Sequence, residues 1–187
     1  RVVRLRLREE AVLGLRGDYH SFDVTSDLPA NSGTAADAIL SPKASVIYSP
    51  GERTEVYLSG GFGFHSNDAR GTVQSIEPGT GAPVDPVDPL VPSRGAEVGL
   101  RTTLADGWRS TLAAWTIDLD SELLFVGDAG TTEASGASRR FGVTWTNFYR
   151  LTPRLSADLD IALTRARFTN EPDGQDRIPG ALENVIT

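Results

Sequence analysis

The 187-residue chain has no cysteine and no methionine. The lack of cysteine removes disulfide scaffolds, thiolate zinc sites and thiol nucleophiles, and it suits an exported protein. Without methionine there is not even an initiator residue, and the sequence opens at Arg1 already strand-like, so an incomplete chain is expected. No signal peptide is visible, and that absence says nothing about export. Histidine is confined to His20 and His65, neither with a second imidazole at ligand spacing, so neither a metal centre nor a cofactor is expected. Positive charge is outnumbered: a net charge of −7 argues against nucleic acid, or an anionic surface at large, as a partner. No apolar run approaches the roughly 20 residues of a membrane-crossing helix. Any membrane span must therefore be made of strands.

Strands are what the pattern supplies. In 155–168, Leu155, Ala157, Leu159, Ile161 and Leu163 share one face and Ser156, Asp158, Asp160 and Thr164 the other, a period of two over a length able to cross a bilayer. Phe141, Val143, Trp145 and Tyr149 likewise oppose Gly142, Thr144, Thr146 and Arg150. In 109–123 the reading puts Ala113, Trp115, Ile117 and Leu119 outward and Ser110, Thr116, Asp118, Asp120 and Glu122 inward. Ala96, Val98, Leu100 and Leu104 oppose Glu97, Gly99, Arg101 and Thr103, and Val56, Leu58, Phe62 and Phe64 oppose Glu55, Tyr57, Ser59 and His65. Segments 41–49 and 11–24 are compatible with two more strands, and Val3, Leu5 and Leu7 alternate with Arg4, Arg6 and Arg8. The expected total is about eight, with 181–187 opening a ninth.

The connections alternate in length. Short joins fall at Ser49-Pro50-Gly51-Glu52, Ala105-Asp106-Gly107 and Thr152-Pro153-Arg154, and long polar joins at 25–39, 66–92, 127–136 and 169–179. An outer-membrane β-barrel has this asymmetry, with tight periplasmic turns and long outer loops. A soluble β-sandwich also alternates, but its strands are usually shorter. Tyr48, Trp108 and Tyr149 all lie beside the short turns, where an interfacial girdle belongs.

Specific sequence sharpens the reading. Residues 57–71, from Tyr57-Leu58-Ser59-Gly60-Gly61-Phe62 to Asp68-Ala69-Arg70-Gly71, resemble a barrel strand and its outer edge in TonB-dependent receptors. Ser41-Pro42-Lys43 with Tyr48-Ser49-Pro50, Glu97-Val98-Gly99-Leu100-Arg101, Asp120-Ser121-Glu122-Leu123 with Gly127-Asp128-Ala129-Gly130-Thr131, and Ile178-Pro179-Gly180-Ala181 follow in the family's order. The resemblance covers nearly the whole chain. It implies an all-β fold, namely an antiparallel transmembrane segment from the C-terminal half of a 22-stranded barrel whose lumen holds a plug. It also implies an outer-membrane location and a parent protein that is not an enzyme but imports a scarce nutrient such as a siderophore, haem or cobalamin. The partners implied are the TonB complex, reached through the plug, outer-membrane lipid and the small-molecule nutrient. Residues 1–187 are read as a partial barrel domain, with the plug and terminal barrel strands absent. A passive porin-like channel and a soluble β-domain for carbohydrate binding or adhesion are the alternatives.

Candidate residues follow from this placement. His65, Ser66, Asn67, Asp68 and Arg70 put ligand-capable groups at a strand's outer end, although Asp68 and Arg70 could simply brace the loop. Arg16, Glu97, Arg101, Asp118, Asp120, Glu122, Asp158 and Asp160 are expected to line the lumen, the acids pairing with arginines such as Arg101, Arg150 and Arg165. No nucleophile–base constellation accompanies these acids, so no catalytic residue is expected. The loop 72–92, with Pro78, Pro83, Pro86, Pro89 and Pro92 beside Asp85 and Asp88, lacks the regular Asp/Asn spacing and final Glu of a calcium loop and reads as Pro-stiffened. Gly127-Asp128-Ala129-Gly130 reads as a turn, because no helix pattern follows it. The loops 25–39 and 66–92 are the expected sites of ligand contact.

Overall fold

Alternating sequence forms long paired strands because one residue set can face hydrocarbon and the other water while each backbone N–H and C=O finds a partner across the ladder. The computed structural model describes residues 8–126, 131–172 and 174–187. In chain order the strands are β1 (Arg8–Val24), β2 (Gly33–Gly51), β3 (Thr54–Ser66), β4 (Leu90–Ala105), β5 (Trp108–Leu119), β6 (Glu122–Val126), β7 (Thr131–Ser135), β8 (Ser138–Thr152), β9 (Leu155–Phe168) and β10 (Asn184–Ile186), and a 3-10 turn, Pro29–Asn31, precedes β2. Eight of them form one sheet in the order β1-β2-β3-β4-β5-β8-β9-β10, all antiparallel, while β6 and β7 pair with each other. The sheet is open, with β1 and β10 as its edges.

Residues 52–53, 106–107 and 153–154 close the tight turns at one end of the sheet; segments 25–32, 67–89 and 169–183 and the β6–β7 hairpin lie at the other. This is the alternation of short and long joins expected from the sequence.

Pairing fixes which residues share a face. Leu58, Val98, Ala114, Val143 and Leu163 form one row across five strands, and Val56, Leu100, Leu112, Trp145 and Ile161 form the next. Trp108 pairs with Tyr149 nearer the tight turns, their rings 5.7 Å apart. Leu13 and Leu15, on the same face of β1, are 82% and 71% exposed. Apolar surface this extensive marks a contact with something other than water. From Trp108 to Asp118, at about 3.4 Å per residue and a tilt of about 40°, the face rises roughly 26 Å, the height of a barrel's apolar band. The other face carries the row Ser45, Ser59, Glu97, Trp115, Gly142 and Thr164. Little is fully buried, because the sheet is a single layer; Tyr57, Leu90, Val91, Ala113, Ala166 and Ile178 are the buried apolar residues among those described.

Four local expectations change. Arg8 and Ala11 lie in one continuous strand, and the expected short strand before them falls outside the described residues apart from Arg8. The loop 25–39 shrinks to 25–32, because Gly33 to Ile39 pairs with Val24 to Asp18. The small residues Ala35, Ala36 and Ala38 are weak strand formers, and the ladder overrides their propensity. Part of the expected loop 127–136 is the β7 strand of the β6–β7 hairpin, while the turn at 127–130 lies outside the described residues. Finally, β5 is reversed: Thr111, Ala113 and Trp115 share the face of Glu97 and Thr144, whereas Ser110, Thr116 and Asp118 share the face of Val98 and Val143. Within β5 both faces are mixed, so the strand's own composition does not say which side is wet; its neighbours decide.

The reversal has a packing cause. The Trp115 indole lies over Gly142, where a Cβ would meet Trp115 Cζ2 at 2.9 Å and the Leu163 carbonyl at 2.5 Å, and its Nε1 donates to Thr144 Oγ1 at 3.1 Å. Tyr57 covers Gly99 in the same way, its ring and hydroxyl filling the space of a Cβ. Glycine in a strand is costly unless something must approach the backbone, and here an aromatic ring does. Gly99→Ala should therefore destabilise the sheet by about 1–3 kcal/mol, and Tyr57→Ser in the same chain should relieve most of that loss. Urea unfolding in lipid, followed by tryptophan fluorescence, checks this; an equal penalty in both backgrounds would show that the ring contact is not its source.

Candidate functional site

The face opposite the apolar belt carries a groove of about 670 Å³. Its floor consists of Gly60, Gly61 and Gly95 with Ala113, and its rim of Lys43, Tyr57, Glu97, Trp115, Thr144 and Thr146. Charge is paired along this wall: the Arg101 guanidinium stacks over the Tyr57 ring at 4.5 Å and approaches Glu55 at 3.7 Å. Guanidinium over an aromatic face is an attraction that survives partial exposure. Arg16 similarly stacks on Phe64 at 5.7 Å while bonding Asp18 at 2.7 Å. The groove thus sets hydroxyls, the Glu97 carboxylate and the Lys43 ammonium among aromatic rings over a low floor of glycines.

At the long-loop end, two connections are stitched together. Asn31, buried in the 3-10 turn, donates from Nδ2 to the Ile76 carbonyl at 2.9 Å, and its Oδ1 accepts from the Ser75 and Ile76 amides, each at 3.0 Å. Ser75 Oγ returns a bond to the Ala30 carbonyl at 2.6 Å. One short polar side chain thereby ties segment 25–32 to segment 67–89, satisfying backbone groups that no ladder reaches. Segment 67–89 is itself folded back, with Glu77 N–H bonding Ala82 O, Val84 N–H bonding Ser75 O and Val87 N–H bonding Gly71 O.

The five residues expected to meet ligand separate into different tasks. Asn67 is buried; its amide N–H donates to Pro89 O at 3.0 Å and Nδ2 to Asp88 O at 2.7 Å, so it latches the loop's two ends. Asp68 holds Arg70 through bonds of 3.1 Å and 2.6 Å and also accepts the Arg70 amide N–H, the brace foreseen as the duller role. Those hydrogen bonds raise the Arg70 pKa and hold its charge. Ser66 ends β3 and is exposed. His65 lies on the polar face with Nε2 enclosed and without a hydrogen-bond partner among the described residues. A second cavity of about 440 Å³ sits beside the latch, lined by Asn67, Asp88, Val91, Asp120 and Ser121, and Asn67 Oδ1 has no hydrogen-bond partner among the described residues.

Of the residues expected on the lumen wall, Arg16, Glu97, Arg101, Asp158 and Asp160 share the polar face by register. Asp118 does not; it stands on the apolar face between Arg94 and Arg139. Asp120 falls in the bend after β5 and is exposed. Glu122 is buried, accepting from Ser138 Oγ and from Arg140 Nε and Nη2, the latter at 2.8 Å. Arg140 and Asn31 were invisible beforehand: Arg140 reads as one of a pair of surface arginines, and Asn31 as one polar residue in a polar loop. Both depend on partners at least 18 positions away.

The paired faces, the one-sided loops and the belt height together describe a section of barrel wall. A family profile described as "TonB dependent receptor-like, beta-barrel" matches residues 6–185. The chain belongs to the TonB-dependent receptor family. Its fold is correspondingly similar to solved structures: the ferric-catecholate import receptor Fiu from K12 E. coli (TM-score 0.67, 17% identity, covering 95% of this chain and 29% of that one), the copper transporter OprC (0.63, 18%, 86% and 27%) and the siderophore receptor PiuA from Acinetobacter baumannii (0.61, 17%, 86% and 23%). No curated protein sequence matches it. The chain thus spans between 23% and 29% of those receptors' lengths. Members of the TonB-dependent receptor family are outer-membrane transporters and receptors rather than enzymes, so the apolar belt is the lipid-facing surface of an outer-membrane barrel.

In this receptor section, Asn31→Ala should cost about 1–3 kcal/mol of local stability by stranding buried backbone groups. The loss should be confined to the loops. Hydrogen exchange should show the Ser75 and Ile76 amides losing protection while the β4 and β8 amides keep theirs; unchanged exchange at Ser75 and Ile76 would refute the clamp.

Proposed function

We propose that this chain is a section of the barrel wall of a receptor that imports a scarce nutrient with TonB-coupled energy. The observation that carries the reading is the division of the sheet into a lipid belt on one face and, on the other, a glycine-floored groove with Lys43, Glu97 and threonine hydroxyls among aromatic rings. Its open edges support a larger barrel: in hydrocarbon the free N–H and C=O groups of β1 and β10 need further strands to pair with. A complete wall of 22 strands enclosing a plug meets that need. Arg16, Glu97, Arg101, Asp158 and Asp160 then line the passage, and the plug is the part that meets the TonB complex.

Ligand is captured, on this reading, by the clamped outer loops. The cavity beside Asn67 offers an unpartnered amide oxygen near Asp88 and Asp120, and His65 and Ser66 stand at the strand end below it. The similar structures are described as a ferric-catecholate import receptor, a siderophore receptor and a copper transporter. A metal chelate of this general class is the substrate we assign.

Uptake of radiolabelled ferric siderophores by cells expressing the receptor tests the proposal. Import should fall to background when TonB is deleted or the proton-motive force is collapsed. Import that continues undiminished would identify a passive channel instead.

A further inference from the structure

The cavity of about 440 Å³ at the long-loop end lies between segment 67–89 and the bend that follows β5. Both sides are pinned through the backbone where β4 begins: Asn67 N–H donates to Pro89 O at 3.0 Å, and Asp120 N–H donates to Pro92 O at 3.2 Å. The polar residues of its lining are Asn67, Asp88, Asp120 and Ser121, with no arginine, lysine or histidine beside them. Asn67 is the buried one, 5% exposed. Its orientation is fixed, because Nδ2 donates to the Asp88 carbonyl at 2.7 Å and an inverted amide would set two carbonyl oxygens against each other. Oδ1 is thereby turned from the latch toward the cavity, enclosed and without a hydrogen-bond partner among the described residues. Asp88 and Asp120 are exposed and form no ion pair among the described residues. The loop has the same sign: segment 67–89 carries Asp68, Glu77, Asp85 and Asp88 against one arginine, Arg70, which Asp68 holds. The rest of the lining is hydrocarbon, with Val87, Val91 and Pro92 prominent.

We propose that this cavity takes the protonated amine at the end of an aliphatic arm of the imported chelate, so that the receptor selects a cationic ligand. The inference rests on the reading that the outer loops capture a metal chelate, and it adds the charge and shape of the group they hold. An ammonium brings three donors and a full positive charge, the two things missing from a lining of amide oxygen, hydroxyl and paired carboxylates. Charge-assisted hydrogen bonds of this kind are the stronger sort. The methylenes of the arm would lie along Val87, Val91 and Pro92 as a lysine stem lies on apolar surface. A bare divalent cation fits less well, since calcium asks for roughly six to eight oxygens around it and hydrocarbon occupies too much of this lining. An anionic chelate is opposed by the two carboxylates at contact and by the acidic loop on approach.

The test uses the full-length receptor in mild non-ionic detergent and three forms of one linear trihydroxamate iron chelate: with a free terminal primary amine, with that amine acetylated, and with it succinylated. The three share an iron centre and differ only in the charge and cap of the arm. Isothermal titration calorimetry should find the amine form bound at least about tenfold more tightly than the acetylated form, with the succinylated form weakest. Asp88→Asn combined with Asp120→Asn should abolish that preference while leaving affinity for the acetylated form within about twofold. Both residues hold the cavity through backbone atoms, so the change leaves its walls in place. Asp85→Asn, which removes a charge from the same loop but not from the cavity, should keep the preference. Equal binding of the amine and acetylated forms, or the same loss in D85N as in the double variant, would overturn the cationic site and leave chelate capture standing. If none of the three binds, capture of hydroxamates fails, and the cavity is tested with pentylammonium alone. Pentylammonium should shift the NMR signals of the Asn67 side-chain amide where pentanol does not; no such shift would overturn the cationic site as well.

Discussion

A strand that crosses hydrocarbon must have every backbone N–H and C=O answered by the next strand, because no water is there to answer them. The rest of this structure follows from that constraint. It requires long, nearly unbroken ladders, such as the pairing of β1 with β2 from Arg8–Ser49 to Val24–Gly33. It permits register shifts only near the tight turns, where they occur at Tyr48/Gly51, Thr103/Ala105 and Arg150/Thr152. It also forbids free edges, which is why an open sheet of this kind makes sense as part of a larger wall.

Once the ladders are fixed, the side chains have only two faces on which to divide. Some polar groups on the lipid side are paired within it: Trp145 Nε1 donates to Ser110 Oγ at 2.9 Å, and the Thr54 and Thr102 hydroxyls meet at 3.1 Å, whereas the Asn147 amide is enclosed without a partner among the described residues. On the lumen side, Tyr57 and Trp115 lie across glycines of the adjoining strands, giving a wall that is smooth and rigid yet still polar. Rigidity there sets off the loops, whose order depends on a few side-chain bonds from Asn31 and Asn67 rather than on a ladder. Recognition elements on such a scaffold can differ between receptors while the wall stays the same.

Much of this was legible in the sequence. Strands β3, β4, β8 and β9 were recognisable because their polar and apolar residues segregate cleanly by parity, as in Leu159, Ile161 and Leu163 against Asp158 and Asp160. The face of β5 was not, since Leu112 and Ala114 oppose Ala113 and Ile117 with nearly equal hydrophobicity; only pairing with Glu97 and Thr144 decides it. The role of Asp118 was lost with that face. Asn31 escaped for a different reason: its partners lie 44 and 45 residues away, and loop sequence holds no period from which to infer them. The long join was foreseen nearly in extent, 66–92 against 67–89, because prolines and glycines end strands wherever they cluster, although Pro92, read as part of the Pro-stiffened loop 72–92, belongs to β4.

The assignment of faces in β5 is where the account is most exposed, and the absence of cysteine from this chain simplifies its test. Single cysteines placed at Thr111, Leu112, Ala113 and Ala114 would be treated with a membrane-impermeant maleimide in the receptor reconstituted in vesicles. Labelling at 111 and 113 with protection at 112 and 114 is the predicted result. The opposite alternation would contradict the registered lumen face, and uniform labelling would contradict a membrane wall altogether.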